Sequence, residues 1–144
     1  DSNDGCVMNG VDGLISNVKG ASLGIYVADC GVIYLLDRKN RAIGLLHSGR
    51  KGTELGILEV ALKKMEQAYG TDPQDVVGVL APCIRPPAYE IDFAAQIRCD
   101  AERLGVGEFY DCGLCTSTNH DRYYSYRLEK GSTGRMLAIF GIEA

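Results

Sequence analysis

The chain alternates short apolar runs with polar, glycine-rich breaks. Residues 22–28 (Ser-Leu-Gly-Ile-Tyr-Val-Ala) and 32–37 (Val-Ile-Tyr-Leu-Leu-Asp) are rich in β-branched and aromatic side chains. Such runs, bounded by turn residues, predict buried strands. Arg38-Lys39-Asn40-Arg41 is a polar turn, and residues 42–47 (Ala-Ile-Gly-Leu-Leu-His) form another apolar run. Residues 32–47 therefore read as a β-hairpin. Past Gly49 and Gly52, Thr53 has the chemistry of an N-cap and Glu54 sits where a helix dipole favours it. Leu58, Leu62, Met65 and Tyr69 then recur at helical spacing, and Gly70 ends the pattern.

Asp72-Pro73 opens a new turn, Val76 to Leu80 reads as a strand, and residues 81–87 form a breaker-rich loop. Phe93, Ile97 and Leu104 predict a second amphipathic helix over 92–104. A short strand is expected at 107–110, a helix or ordered loop at the Tyr-rich 117–127, and a last strand from Met136 to Ile142. The mixture of helices and strands with an antiparallel opening hairpin predicts an α+β fold, a mixed β-sheet with flanking helices. At 144 residues, with no internal repeat or composition break, the chain reads as one domain, 1–144.

Composition narrows the function. Fifteen basic against nineteen acidic residues give a net charge of −4, which argues against a general nucleic-acid binder. No apolar run approaches the length of a membrane span. Asp1-Ser2-Asn3-Asp4-Gly5 lacks the charged and apolar regions of a signal peptide. Of the six cysteines, only Cys112 and Cys115 are closely spaced, and a zinc ribbon needs a second such pair. Reduced thiols in a cytoplasmic protein are the expectation.

A tight 38–41 turn places Val32 opposite His47, and Cys30 two residues before Val32 shares its face. Thiol and imidazole then meet diagonally at one strand end. That pair suits a Cys nucleophile with a His base, or a soft-ligand metal site, or simply a buried Cys beside a core His. The segment His47-Ser48-Gly49-Arg50-Lys51-Gly52-Thr53 runs from this strand end into a helix start. Free N–H groups, two glycines and two cations there favour an anion, although the spacing is not that of a Walker loop.

Ala28-Asp29-Cys30, the 47–53 segment, Pro82-Cys83-Ile84 with Tyr89-Glu90, Cys115-Thr116, Tyr123-Tyr124-Ser125-Tyr126-Arg127 and Gly134-Arg135 occur in one order. This set resembles the laccase-domain, or multicopper polyphenol oxidoreductase (YfiH-type), family over residues 11–142. The resemblance implies the YfiH-type fold, similar to that of the cytotoxic necrotizing factor deamidases. It implies purine nucleoside phosphorolysis with adenosine deaminase side activity, acting on a small purine nucleoside (adenosine, inosine, guanosine or methylthioadenosine) and phosphate. It further implies zinc, or copper, on Cys30 and His47, which would also be the catalytic pair. The family's remaining His ligand lies upstream of the matched region and has no counterpart here. Gly49, Arg50, Lys51, Thr53, Tyr124 and Arg127 would bind phosphate and substrate, with Arg50 standing where the family usually has Trp. The competing expectations are a metal-free Cys-His hydrolase or deamidase, a degenerate binding module, and a polyphenol oxidase. Two histidines are far too few for a multicopper site, which places the oxidase last.

Overall fold

The computed structural model describes residues 5–144, so the amino-terminal stretch read above for a leader lies, up to residue 4, outside the described residues. The strands are β1 (Gly13–Ser16), β2 (Ser22–Val27), β3 (Gly31–Asp37), β4 (Ala42–Ser48), β5 (Val76–Leu80), β6 (Glu108–Asp111) and β7 (Met136–Gly141). The α-helices are α1 (Arg50–Glu54), α2 (Ile57–Tyr69) and α3 (Phe93–Arg103), with a single 3₁₀ turn at Pro73–Asp75. A five-stranded sheet runs β1-β4-β3-β5-β6, and β2 pairs with β7 in a separate ribbon. Among the described residues, β5 and β6 are the only parallel strand pair, and every other strand pair is antiparallel. The fold is α+β with a mixed sheet and flanking helices, as the pattern of runs predicts.

Alternation along β3 and β4 divides the core into two. Ile33, Leu35, Leu46 and Leu80 face the helices and pack with Met65 of α2 and Ile97 of α3. Val32 and Leu45 face the other way, where Val27 and Ala138 of the β2–β7 ribbon cover them. Both faces of the central hairpin are thus buried, which explains its near-continuous apolar sequence.

The 32–47 hairpin has the expected register, with Val32 opposite His47. The Asp37 carboxylate closes its turn by accepting the backbone N–H groups of Lys39 and Asn40 at 3.0 Å each. One local expectation is revised and one is narrowed. The first concerns Thr53, which is not an N-cap: the helix begins earlier, with Gly49 as the cap, and Thr53 lies inside α1. A break follows at Gly56, whose φ of 73° is left-handed and suits glycine, and α2 starts anew at Ile57. The second concerns residues 117–127, where of the two alternatives, helix or ordered loop, the structure shows the ordered loop with turns. The edge strand β1 carries too short an apolar pattern to stand out in the sequence.

Candidate active site

Cys30 sits at the entrance to β3, immediately after Asp29, whose backbone is left-handed at φ 77°. Such a conformation is uncommon for a residue with a side chain and persists where surrounding contacts hold it. Here they are explicit. The buried Asp29 carboxylate accepts the Thr116 hydroxyl at 2.8 Å and the Ser125 hydroxyl at 2.9 Å. It also accepts the Arg127 backbone N–H at 2.6 Å. The Asp29 carbonyl accepts the Ile84 N–H at 2.9 Å. One residue therefore ties the 83–84, 116 and 125–127 segments around Cys30.

These segments, together with the β4–α1 junction, enclose a cleft of about 680 Å³. Cys30, His47, Gly49, Arg50, Lys51 and Arg127 all line it, so six of the eight residues singled out from the sequence converge. Thr53 and Tyr124 do not. Thr53 is buried, and its hydroxyl donates to the Gly49 carbonyl at 2.6 Å and lies 2.8 Å from Ser48 Oγ. It shapes the loop from behind. The Tyr124 ring packs on Gly134, where a Cβ would overlap it. Asp12, Tyr89, Phe93, Tyr126 and Lys130 also line the cleft. No sequence signal singles out Asp12 or Lys130; Phe93 reads in the sequence only as an apolar helix position, and Tyr89 and Tyr126 lie inside quoted motifs.

Gly49 is essential to this geometry. A Cβ there would run into Cys30 Sγ, so β4 can turn into α1 against the sulfur only with glycine at this position. His47 Nδ1 lies 3.4 Å from Asp12 Oδ1, and the His47 backbone N–H donates to the Asp12 carbonyl at 2.7 Å. A carboxylate beside one ring nitrogen favours the tautomer with its proton there, leaving Nε2 with a lone pair.

Electrostatics distinguishes the uses open to Cys30. Burial pushes its thiol pKa up, and the Asp29 and Asp12 carboxylates push it further, with Arg135 opposing. A free thiolate is therefore disfavoured, whereas a cation beside the sulfur is welcomed by both carboxylates. Cys30 and His47 have the donor chemistry of a zinc or copper site. Among the described residues, however, no cluster of three His, Cys, Asp or Glu forms around a common point. His120, the other imidazole, is exposed and does not line the cleft.

In the loop that follows β4, Arg50 Nε is engaged by Glu54 at 3.1 Å. Lys51 makes no ion pair among the described residues. The Arg127 guanidinium lies 5.5 Å over the Tyr89 ring and pairs with Glu90 at 3.2 Å. With α1 only five residues long, its dipole is slight, and positive charge at the loop comes chiefly from side chains. No described helix is long and apolar enough to cross a membrane.

The chain is similar to the purine nucleoside phosphorylase YlmD of Bacillus subtilis, 26% identical over 167 residues, covering 94% of this chain and 60% of the relative. A purine nucleoside phosphorylase of Deinococcus radiodurans is 32% identical over 157 residues, covering 91% and 61%. The crystal structure of YlmD from Geobacillus stearothermophilus superposes with a TM-score of 0.82 at 27% identity, over 94% of this chain and 62% of that one. The chain thus spans about 60% of the length of these two curated relatives. Within the match there is a length difference: 94% of this chain is about 135 residues, against 167 aligned positions, so the Bacillus relative carries about 30 residues without counterpart here. The family match falls into two pieces, residues 1–98 and 89–143, which overlap at the stretch leading into α3. With both pieces matching the family described as multi-copper polyphenol oxidoreductase laccase, this chain belongs to that family.

Proposed function

We propose that this chain is a metal-dependent purine nucleoside phosphorylase. The observation that carries the reading is the single cleft in which Cys30 and His47 face a glycine-flanked, cationic loop, Gly49 to Gly52. The names of the relatives support the substrate class. Phosphate sits against Lys51, the loop cation without an ion-pair partner, and the backbone at Gly49 lets it approach closely. One phosphate oxygen attacks the ribose anomeric carbon. The bond from that carbon to the purine nitrogen breaks, and its electron pair leaves with the base. Arg127 and Tyr89 form the wall against which the nucleoside is oriented.

Zinc is the metal proposed, with Cys30 and His47 as its ligands from this chain. When bound, it supplies a Lewis acid that can also activate water for deamination at adenine C6. Asp12 orients the His47 ring, and Asp29 holds the backbone that presents Cys30. The raised thiol pKa disfavours the metal-free nucleophile reading, which needs a ready thiolate.

The test is incubation with adenosine and phosphate in the presence of zinc, followed by chromatography. Adenine and ribose 1-phosphate are the expected products, and inosine would report deamination. No turnover after metal addition removes the reading for this chain.

A further inference from the structure

The cleft adjoins a second hollow of about 520 Å³, and Arg127 and Lys130 line both. The remaining wall of the hollow comes from the 85–88 segment and from Cys115, Ser117, Thr118 and Leu128. Among the described residues no aspartate or glutamate lines it.

The charged side chains that line this hollow, Arg85, Arg127 and Lys130, are all cationic. Arg85 and Arg98 both pair with the single carboxylate of Asp111, so one positive charge in that group is left over. Arg127 is held only by Glu90, in a pair with both side chains more than half exposed, 57% and 61%. Such a pair is weak and yields readily to a better anion. Lys130 makes no ion pair among the described residues. The Ser117 hydroxyl lies 3.1 Å from the Cys115 sulfur, a poor hydrogen-bond acceptor, and can turn to a stronger one.

The first cleft alone has the volume of an ordinary small-molecule site, roughly 300–1,000 Å³. The second hollow is therefore room for an additional group. Its wall includes Ala88 and Arg127, and the Arg127 guanidinium stacks over the ring of the next residue, Tyr89, in the first cleft.

We propose that the second hollow is an anion subsite, and that the chain takes purine nucleosides bearing a phosphate on ribose O5′. Base and sugar occupy the first cleft, and the phosphate lies among Lys130, Arg127 and Ser117. O5′ is the ribose oxygen on an exocyclic carbon, so it gives a phosphate the reach to pass Arg127. The inference rests on the purine nucleoside reading given above.

Isothermal titration calorimetry of the full chain in phosphate-free buffer, with adenosine and adenosine 5′-monophosphate as probes, tests it. The monophosphate should bind at least roughly tenfold more tightly, the scale of one charge-assisted contact. Lys130→Glu should remove most of that preference, and so should Ser117→Asp, which places a carboxylate in the hollow by a second route. Lys64→Glu, a charge reversal on the exposed side of α2, should keep it. Equal affinity for the two probes overturns the subsite, whatever the phosphorolysis assay gives. A preference that survives Lys130→Glu but vanishes in Lys51→Ala puts the phosphate at the α1 loop and also overturns it. A preference lost in Lys130→Glu, in a chain that shows no phosphorolysis, sustains the subsite and removes only the phosphorylase reading.

Discussion

The hydroxyl of Ser125 donates to the Asp29 carboxylate at 2.9 Å across 96 residues of chain, and both groups are buried. This bond joins the loop before β7 to the turn that presents Cys30. Because Asp29 also accepts Thr116 and Arg127 N–H, the floor of the cleft hangs on one carboxylate.

Asp29→Asn replaces one acceptor oxygen by a donor that faces other donors. Unfolding in urea should show a loss of about 1.5–3 kcal/mol, the range for hydrogen bonds to a charged group. Ser125→Ala, which removes a hydrogen bond to the same charged group, should also cost about 1.5–3 kcal/mol. The double variant should lose less than the sum of the two, because the residues share the bond. Additive losses would mean that the pair is not coupled.

Gly49→Ala tests the approach of the loop to the sulfur. The backbone at Gly49, φ −86° and ψ −159°, suits alanine, so the penalty comes from the overlap of the new Cβ with Cys30 Sγ. Overpacking of this kind costs about 1–3 kcal/mol. Adding Cys30→Ala should restore the melting temperature without restoring activity. A destabilisation that Cys30→Ala leaves untouched would place the clash elsewhere.

Cys30→Ala and Lys51→Ala should differ in pattern as well as in severity. Loss of the thiol should abolish bound zinc, read by elemental analysis, together with phosphorolysis and deamination. Loss of Lys51 should slow phosphorolysis by about one to two orders of magnitude and spare deamination, for which water is the nucleophile. Equal loss of both activities in Lys51→Ala would show that the lysine supports the loop as a whole.

Thiol labelling should follow burial. Cys6, Cys99 and Cys112 are exposed and should react with iodoacetamide first. Cys30 should react more slowly than a simple alkyl thiol at pH 7, because burial and two carboxylates disfavour its thiolate. Burial pushes Cys83 to about 12, so it should stay unlabelled until the protein unfolds. Rapid, selective labelling of Cys30, read by peptide mass spectrometry, would revive nucleophilic thiol catalysis.

Acid should weaken the Arg85–Asp111–Arg98 group. Burial pushes the Asp111 carboxyl up, but hydrogen bonds from Arg85, the Gly113 N–H and Arg98 outweigh it and hold the pKa at about 2, below the ordinary 3.8. A depressed folded-state value stabilises above the unfolded pKa, and that stability is lost as pH falls from about 4 toward 2. Its size is about 2 kcal/mol. Denaturation at pH 7, 4 and 2.5 should show this loss, and Asp111→Asn should flatten the curve over that window.

Local relationships were legible in the sequence by itself. The β3–β4 hairpin and its register follow from two apolar runs and a short polar turn. The period of Leu58, Leu62 and Met65 determines which face of α2 is buried, and Gly70 ends it with a left-handed residue. The apolar spacing of Phe93 and Ile97 likewise gives α3, whose cap at Asp92, accepting the Ala95 N–H at 2.9 Å, only the structure shows. In each case the partners lie within about twenty residues, and turn length or helical period leaves few alternatives. The same register brings Cys30 and His47 to one strand end by counting along the hairpin.

Tertiary structure alone decided the rest. β2 pairs with β7 more than a hundred residues away, β1 takes the edge beside β4, and β6 runs parallel to β5. Any of these short apolar runs could pair with several others, and loop closure grows costly only slowly with length, so sequence spacing does not choose among them. Thr53 has the look of a cap because its hydroxyl suits many local roles; the packing of Ser48 and Gly49 selects one. The same holds for Asp29, one acidic residue among many until the folded chain gathers Thr116, Ser125 and Arg127 around it.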